Sequence, residues 1–147
     1  MRHLSLALTT LAALLFLPLS AAAQQQPFGD YVIYHGTMLT ANLHPEVARQ
    51  YNIQRSNHRG LITVAVRKNV KDGPSKPVRA DVRAVAVNLS AQRRQLTMHE
   101  VDEGEAIYYL ADFRIDPPET VRIELHVQPK GSKDVHVFEV SRQFQAE

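Results

Sequence analysis

The sequence predicts an all-β fold, an immunoglobulin-like β-sandwich of about seven strands with one short helix near the N-terminal part. Three observations predict it. Apolar and polar residues alternate at period two over several runs, as strands with one buried face require. Turn-forming residues punctuate those runs at short intervals. The chain has 147 residues and no cysteine, so burial alone holds it together. Thiol nucleophiles and cysteine-ligated zinc are excluded with the cysteines.

The first 23 residues have the layout of a secretory signal peptide. Arg2 and His3 make a basic start, Leu11 to Leu17 an apolar stretch, and Ala21, Ala22 and Ala23 a small-residue cleavage site before Gln24. A membrane anchor needs about 20 uninterrupted apolar residues, and Thr9, Thr10 and Pro18 break this one. No cysteine follows the alanines, so no lipoprotein anchor is expected. The expected product is residues 24–147, a single domain in the periplasm with no membrane span after cleavage. Charge is nearly balanced, with 17 basic and 15 acidic side chains. The isoelectric point near 9.0 reflects arginine outlasting the carboxylates in titration, and no field for nucleic acid results. No cofactor is expected.

Along the mature chain, Gln24 to Pro27 reads as a polar leader outside the fold. Tyr31 to Met38 is the first strand, with no clean polar face. Leu43 to Tyr51 reads as one or two helical turns packed on the sandwich end. Pro45 stands at the first helical position, Glu46 favours the dipole, and Val47 and Tyr51 share a face. Leu61 to Arg67 places Ile62, Val64 and Val66 on one side. Val78 to Leu89 changes phase midway, which points to Ala84 as a β-bulge or a bend between sheets. Gln95 to Val101 is a weaker strand. Ala106 to Ile115 aligns Ile107, Tyr109, Ala111, Phe113 and Ile115. Val121, Ile123, Leu125 and Val127 alternate cleanly with polar residues, and Val135 to Phe144 returns as the hairpin partner after the Pro129 to Ser132 turn.

Chemistry is sparse. Of the histidines His35, His44, His58, His99, His126 and His136, the pair His126 and His136 is expected opposite across the last hairpin. Those two are weak metal candidates, since no third ligand is fixed by spacing and zinc wants three or four. The loop Arg55 to Gly60 offers binding candidates in Arg55, Asn57, His58 and Arg59, whose forks could grip a carboxylate or phosphate. The plainer alternative is a connecting loop in which Arg59 pairs locally. No nucleophile elbow or phosphate loop exists. Asp102, Glu103 and Glu105 surround Gly104 as a solvated turn would. Tyr109 is expected in the core, and Tyr108 exposed or bonded across the sandwich as a corner tyrosine.

Several strings carry a resemblance: Phe28 to Tyr31, Pro45 to Ala48, Ile53 to Ser56, Arg59 to Leu61, Asn88-Leu89 followed by Gln92, and Ala106 to Ala111. In order and spacing they resemble domain-of-unknown-function family 4426, exported gammaproteobacterial proteins, over about Phe28 to Phe144. The resemblance implies a periplasmic β-sandwich with no catalytic residues to carry over, and suggests Arg55, Ser56, Arg59 and Gly60 as a family feature. Ser90-Ala91 depart from an expected Thr-Gly-like turn pair. The function expected is a non-enzymatic binding or interaction module with a protein or envelope partner. The alternative is a small-ligand or metal-binding protein, or an enzyme, using His and Arg. A third possibility is strand addition at an exposed edge.

Overall fold

A computed structural model of the chain describes residues 24–146; the expected signal peptide lies outside the described residues. Ten strands follow in order: β1 Gln24–Phe28, β2 Tyr31–Leu39, β3 Arg59–Val70, β4 Gly73–Val78, β5 Ala80–Asn88, β6 Arg93–Leu96, β7 His99–Asp102, β8 Ile107–Arg114, β9 Glu119–Pro129 and β10 His136–Phe144. They form two antiparallel sheets. The larger runs β1-β2-β3-β8-β7, with β4 also paired to β3; the smaller runs β10-β9-β5-β6. No helix among the described residues is long and apolar enough to cross a membrane.

The core lies between the sheets and is built by alternation. On β3, Ile62, Val64 and Val66 are buried; on β8, Ile107, Tyr109, Ala111 and Phe113, followed by Ile115; on β9, Val121, Ile123, Leu125 and Val127. Gly60 belongs to this pattern because of close approach. A Cβ there would stand 2.7 Å from the Phe113 ring and 3.0 Å from Phe144, too near for any side chain without movement of both rings.

The short helix α1 spans Pro45–Gln50 after a 3-10 turn at Thr40–Asn42. Pro45 opens it, and the His44 imidazole accepts the Glu46 N–H at 3.4 Å. Its buried residue is Ala48, whereas Val47 is exposed, so the buried face is turned one residue from the Val47–Tyr51 face expected.

Three sequence expectations are corrected. Gln24 to Pro27 is no free leader: it is β1, paired residue by residue with β2 from Gln24 opposite His35 to Phe28 opposite Tyr31. Backbone pairing to an existing strand needs no apolar alternation, so the pattern gave no sign of it. Ala84 is neither bulge nor bend. β5 runs in unbroken register along β9, with Ala84 opposite Leu125. Ala80, Val82, Ala84 and Ala86 hold one phase throughout, and the small alanines are buried where valine spacing had suggested a slip. The chain changes sheets at Arg79, between β4 and β5. Finally, residues 95–101 are two strands, β6 and β7, in different sheets. With β1, β4 and this division, the expected seven strands become ten.

The Arg79 crossing is pinned from several sides. The Tyr109 hydroxyl accepts the Ala80 N–H at 2.8 Å and donates to Glu100 at 3.1 Å. Arg79 meets Glu100 at 3.4 Å and Asp102 at 2.6 Å, and its carbonyl accepts the Lys130 N–H at 2.7 Å. Burial, followed by the Glu100 contact, raises the Tyr109 pKa. The tyrosine bonded across the sandwich is therefore Tyr109, while Tyr108 is exposed. At the opposite margin β10 is an edge strand among the described residues, with Val137 on its outer face 57% exposed and Val135, just before it, 48% exposed.

Candidate functional site

The loop before β3 is stitched to the segment after β2. The Ser56 N–H donates to Thr40 Oγ1 at 2.9 Å, while Thr40 Oγ1 and the Ala41 N–H both donate to the Ser56 carbonyl at 3.2 Å. Arg55 donates to the Ala41 carbonyl at 2.8 Å, and the His58 N–H donates to Ser56 Oγ at 3.0 Å. Asn57 and His58 are exposed. Of the four binding candidates in this loop, Arg59 is the one that reaches a shared pocket. Its Nε donates to Asp112 Oδ2 at 2.7 Å, and its Nη2 contacts the same oxygen. The local pairing that a plain connecting loop predicts is thus present, with a partner 53 residues away in the chain.

That pocket exists because β7 is short. It ends at His99, opposite Leu110 of β8, so Asp112 and Arg114 further along β8 have no strand on that side. The chain arrives there from β6, and Arg94 donates to the Arg114 carbonyl at 2.8 Å. Backbone polar groups along an antiparallel strand point alternately to its two neighbours. The Ile115 N–H turns towards β3, donating to the His58 carbonyl at 3.0 Å. The N–H groups of Asp112 and Arg114 therefore face the open side. The result is a notch of about 290 Å³ at one end of the large sheet, lined by Arg59, Arg94, Thr97, His99, Asp112 and Arg114 among others.

Its charge is unbalanced. Arg59 and Arg114 are directly opposite across the β3–β8 pair, a like-charge arrangement that costs stability. Asp112 is the one carboxylate among the described lining residues, and it is engaged by Arg59. Among the described residues no side-chain acceptor takes the Arg114 guanidinium. Arg93, next door, is spent: it makes a two-pronged contact with Glu124 at 2.8 and 2.6 Å. That contact raises the Arg93 pKa and holds the Glu124 carboxyl below its usual range. Sequence reading found Arg59 but missed Arg94, Arg114 and His99, which no local spacing connects.

The His126–His136 pair does not form. The hairpin register sets His126 opposite Val137 and His136 opposite Val127, one residue off the expected centre, so the imidazoles lie on opposite faces of the sheet. His136 turns inward, stacked on Phe28 at 4.9 Å and tilted against Phe138 at 5.3 Å. On the other flank of Phe138, at 5.2 Å, is His35 of β2. His35 is 3% exposed, and among the described residues neither ring nitrogen has a hydrogen-bond partner. Burial pushes its pKa down, which keeps the ring neutral. Among the described residues no three of His, Asp and Glu are grouped so as to hold a metal ion.

The fold and the site define a two-layer antiparallel sandwich with a polar notch at one end. Its residues 25–147 match the family described as a domain of unknown function, DUF4426, and the chain belongs to that family. The crystal structure of a DUF4426 family protein, PA0388 from Pseudomonas aeruginosa PAO1, is similar at 30% identity and a TM-score of 0.71, covering 85% of this chain and 96% of that one. FetP from uropathogenic Escherichia coli strain F11, recombinantly expressed in the periplasm, shares the fold at 11% identity and a TM-score of 0.53, over 84% of this chain and 93% of its own. A copper-bound variant of FetP matches at 12% identity and 0.52 over the same shares. No curated protein matches the chain.

Proposed function

We propose that the protein is a non-enzymatic binding module of the cell envelope, exported to the periplasm by its first 23 residues, and that it engages its partner at the notch beside β8. The observation that carries this reading is the convergence of Arg59, Arg94 and Arg114, from three strands in two sheets, on one open site with a single carboxylate. Side chains placed by strands are held more firmly than those on loops, which suits recognition. The basic, apolar and small-residue layout of residues 1–23 supports export. The shared fold with FetP accords with an envelope role. FetP's copper finds no counterpart in this reading, since among the described residues no three of His, Asp and Glu are grouped so as to hold a metal ion.

The test is site-specific photocrosslinking in the periplasm of a cell expressing the full chain, with the crosslinker at Thr97. A reproducible adduct is expected, lost in Arg94→Gln with Arg114→Gln while the thermal midpoint stays within a few degrees. An adduct pattern identical to that from a crosslinker at Arg142, on β10, would refute the reading. Mass spectrometry of the exported protein should give a chain beginning at Gln24; a chain retaining Met1 would refute export.

A further inference from the structure

We infer that the notch is an oxyanion site that takes a carboxylate or phosphate group, a ligand class that rests on the binding-module reading above. Three features point to it. The first is the donor surplus. A guanidinium carries five N–H donors in a rigid fork. Arg59 spends its Nε and Nη2 on Asp112, and Arg94 spends an Nη2 bond on the Arg114 carbonyl. Arg114 spends none on a side chain of the described residues, so most of the donors at the notch are left for a ligand.

The second feature is position. Solvated arginines on a surface normally sit apart, yet Arg59 and Arg114 are direct cross-strand neighbours, and Arg94 reaches the same strand from the other sheet. Asp112 offsets Arg59, while among the described residues neither Arg94 nor Arg114 makes an ion pair; Glu119 and Asp116 lie in the adjoining clefts that these two arginines also line. An anion bound between Arg59 and Arg114 would offset the repulsion between these two opposed guanidinium groups. The third is the backbone. The N–H groups of Asp112 and Arg114 face the same open side as fixed donors; the carbonyls of these residues share that side, and the Arg114 one is already taken up by Arg94. His99 also borders the site.

Size narrows the ligand. The notch, about 290 Å³, is an open groove rather than an enclosed cavity. It is more than a bare phosphate fills, and it suits a small organic dianion or the anionic tip of a larger envelope molecule. Planar forks grip both carboxylate and phosphate in two-pronged fashion, so geometry leaves these two sources to experiment.

The experiment uses the mature chain, residues 24–147, in thermal melts and titration calorimetry. The probes are inorganic phosphate and succinate, with sodium chloride at matched ionic strength as the reference. A saturable rise in thermal midpoint with phosphate or succinate, absent with chloride, is expected. Arg114→Gln and Arg94→Gln should each weaken the dissociation constant by about tenfold, and Arg142→Gln should leave it unchanged. Arg114→Lys keeps the charge but not the fork, and should recover part of the loss. Tighter phosphate binding assigns the phosphate source, and tighter succinate binding the carboxylate. A rise that only follows ionic strength, or that is equal in Arg114→Gln and Arg142→Gln, overturns the oxyanion site. Should the Thr97 crosslink still depend on Arg94 and Arg114 in that event, the binding-module reading stands without it. If that crosslink has no dependence on them either, both fall.

Discussion

The two margins of this sandwich handle polar side chains in opposite ways. Between β2 and β10, His35 is sealed in, with Phe138 against its ring and no partner for either nitrogen among the described residues. Beside β8, Arg94 and Arg114 stand exposed around a notch. A buried, unpaired imidazole is neutral and costs free energy, so the sealed margin is a matter of stability. The open cluster of forks carries little of the folding energy, and on the function proposed above it serves recognition. Accessibility, more than residue type, separates the two.

Substitutions can break that contrast. Phe138→Ala removes the cover over His35 and leaves a cavity. About 2–3 kcal/mol of stability should be lost, somewhat less than for a fully buried phenylalanine, as read by urea denaturation. Water then reaches the imidazole, and its pKa, followed by NMR, should return towards the ordinary 6.5.

His35→Leu sharpens the same point from the other side. Exchanging the unpaired ring for an apolar side chain should stabilise the protein by about 1 kcal/mol. It should also change the pH dependence. Burial holds the folded His35 below 6.5, so between that value and the lowered one the unfolded chain binds a proton that the folded chain does not. Wild-type stability therefore falls as pH drops through about 6.5, and the fall levels off once folded His35 is protonated. Denaturation across pH 5–7 should show this component in the wild type and not in His35→Leu; equal profiles would discard the assignment to His35.

On the notch side the effects on folding are smaller. Ala91, in the turn between β5 and β6, has φ +60°, a left-handed conformation that costs an alanine about 1 kcal/mol. Ala91→Gly should recover up to that amount, less the entropy glycine adds to the unfolded chain. The departure seen in the Ser90-Ala91 pair thus has a physical consequence: alanine stands where glycine would be at ease. Smallest of all, Arg114→Gln should change stability by no more than about 0.5 kcal/mol, in the stabilising direction, because it relieves the opposition to Arg59. A loss of several kcal/mol would make Arg114 a structural residue and not a binding one.

What could be read from the sequence was what period two encodes. β3, β8 and β9 were legible because large aliphatic or aromatic side chains mark their inner faces. β1 was not, because Gln24, Gln25 and Gln26 join the sheet through main-chain bonds that any side chain permits. The supposed phase slip at Ala84 came from weighting valine over alanine, when the interior there holds the smaller residue. The candidate site was legible only at Arg59. Arg94 and Arg114 are far from it in sequence and meet it only because β7 stops at His99, a boundary set by tertiary pairing. His35 drew no notice because nothing in the pattern of β2 marks which of its residues face inward.

The free margin of β10 has one more consequence, for handling the protein at high concentration. A nine-residue strand with one side unpaired among the described residues is a template for another chain, and the exposed Val137, with Val135 just before the strand, adds apolar surface there. Along its length Glu139 and Arg142 are the formal charges that discourage such zippering, and Glu139 is already drawn to Arg122 at 3.4 Å. Replacing either with an aliphatic residue would convert a soluble margin into a seed for fibrous assembly, with the interior and the notch untouched.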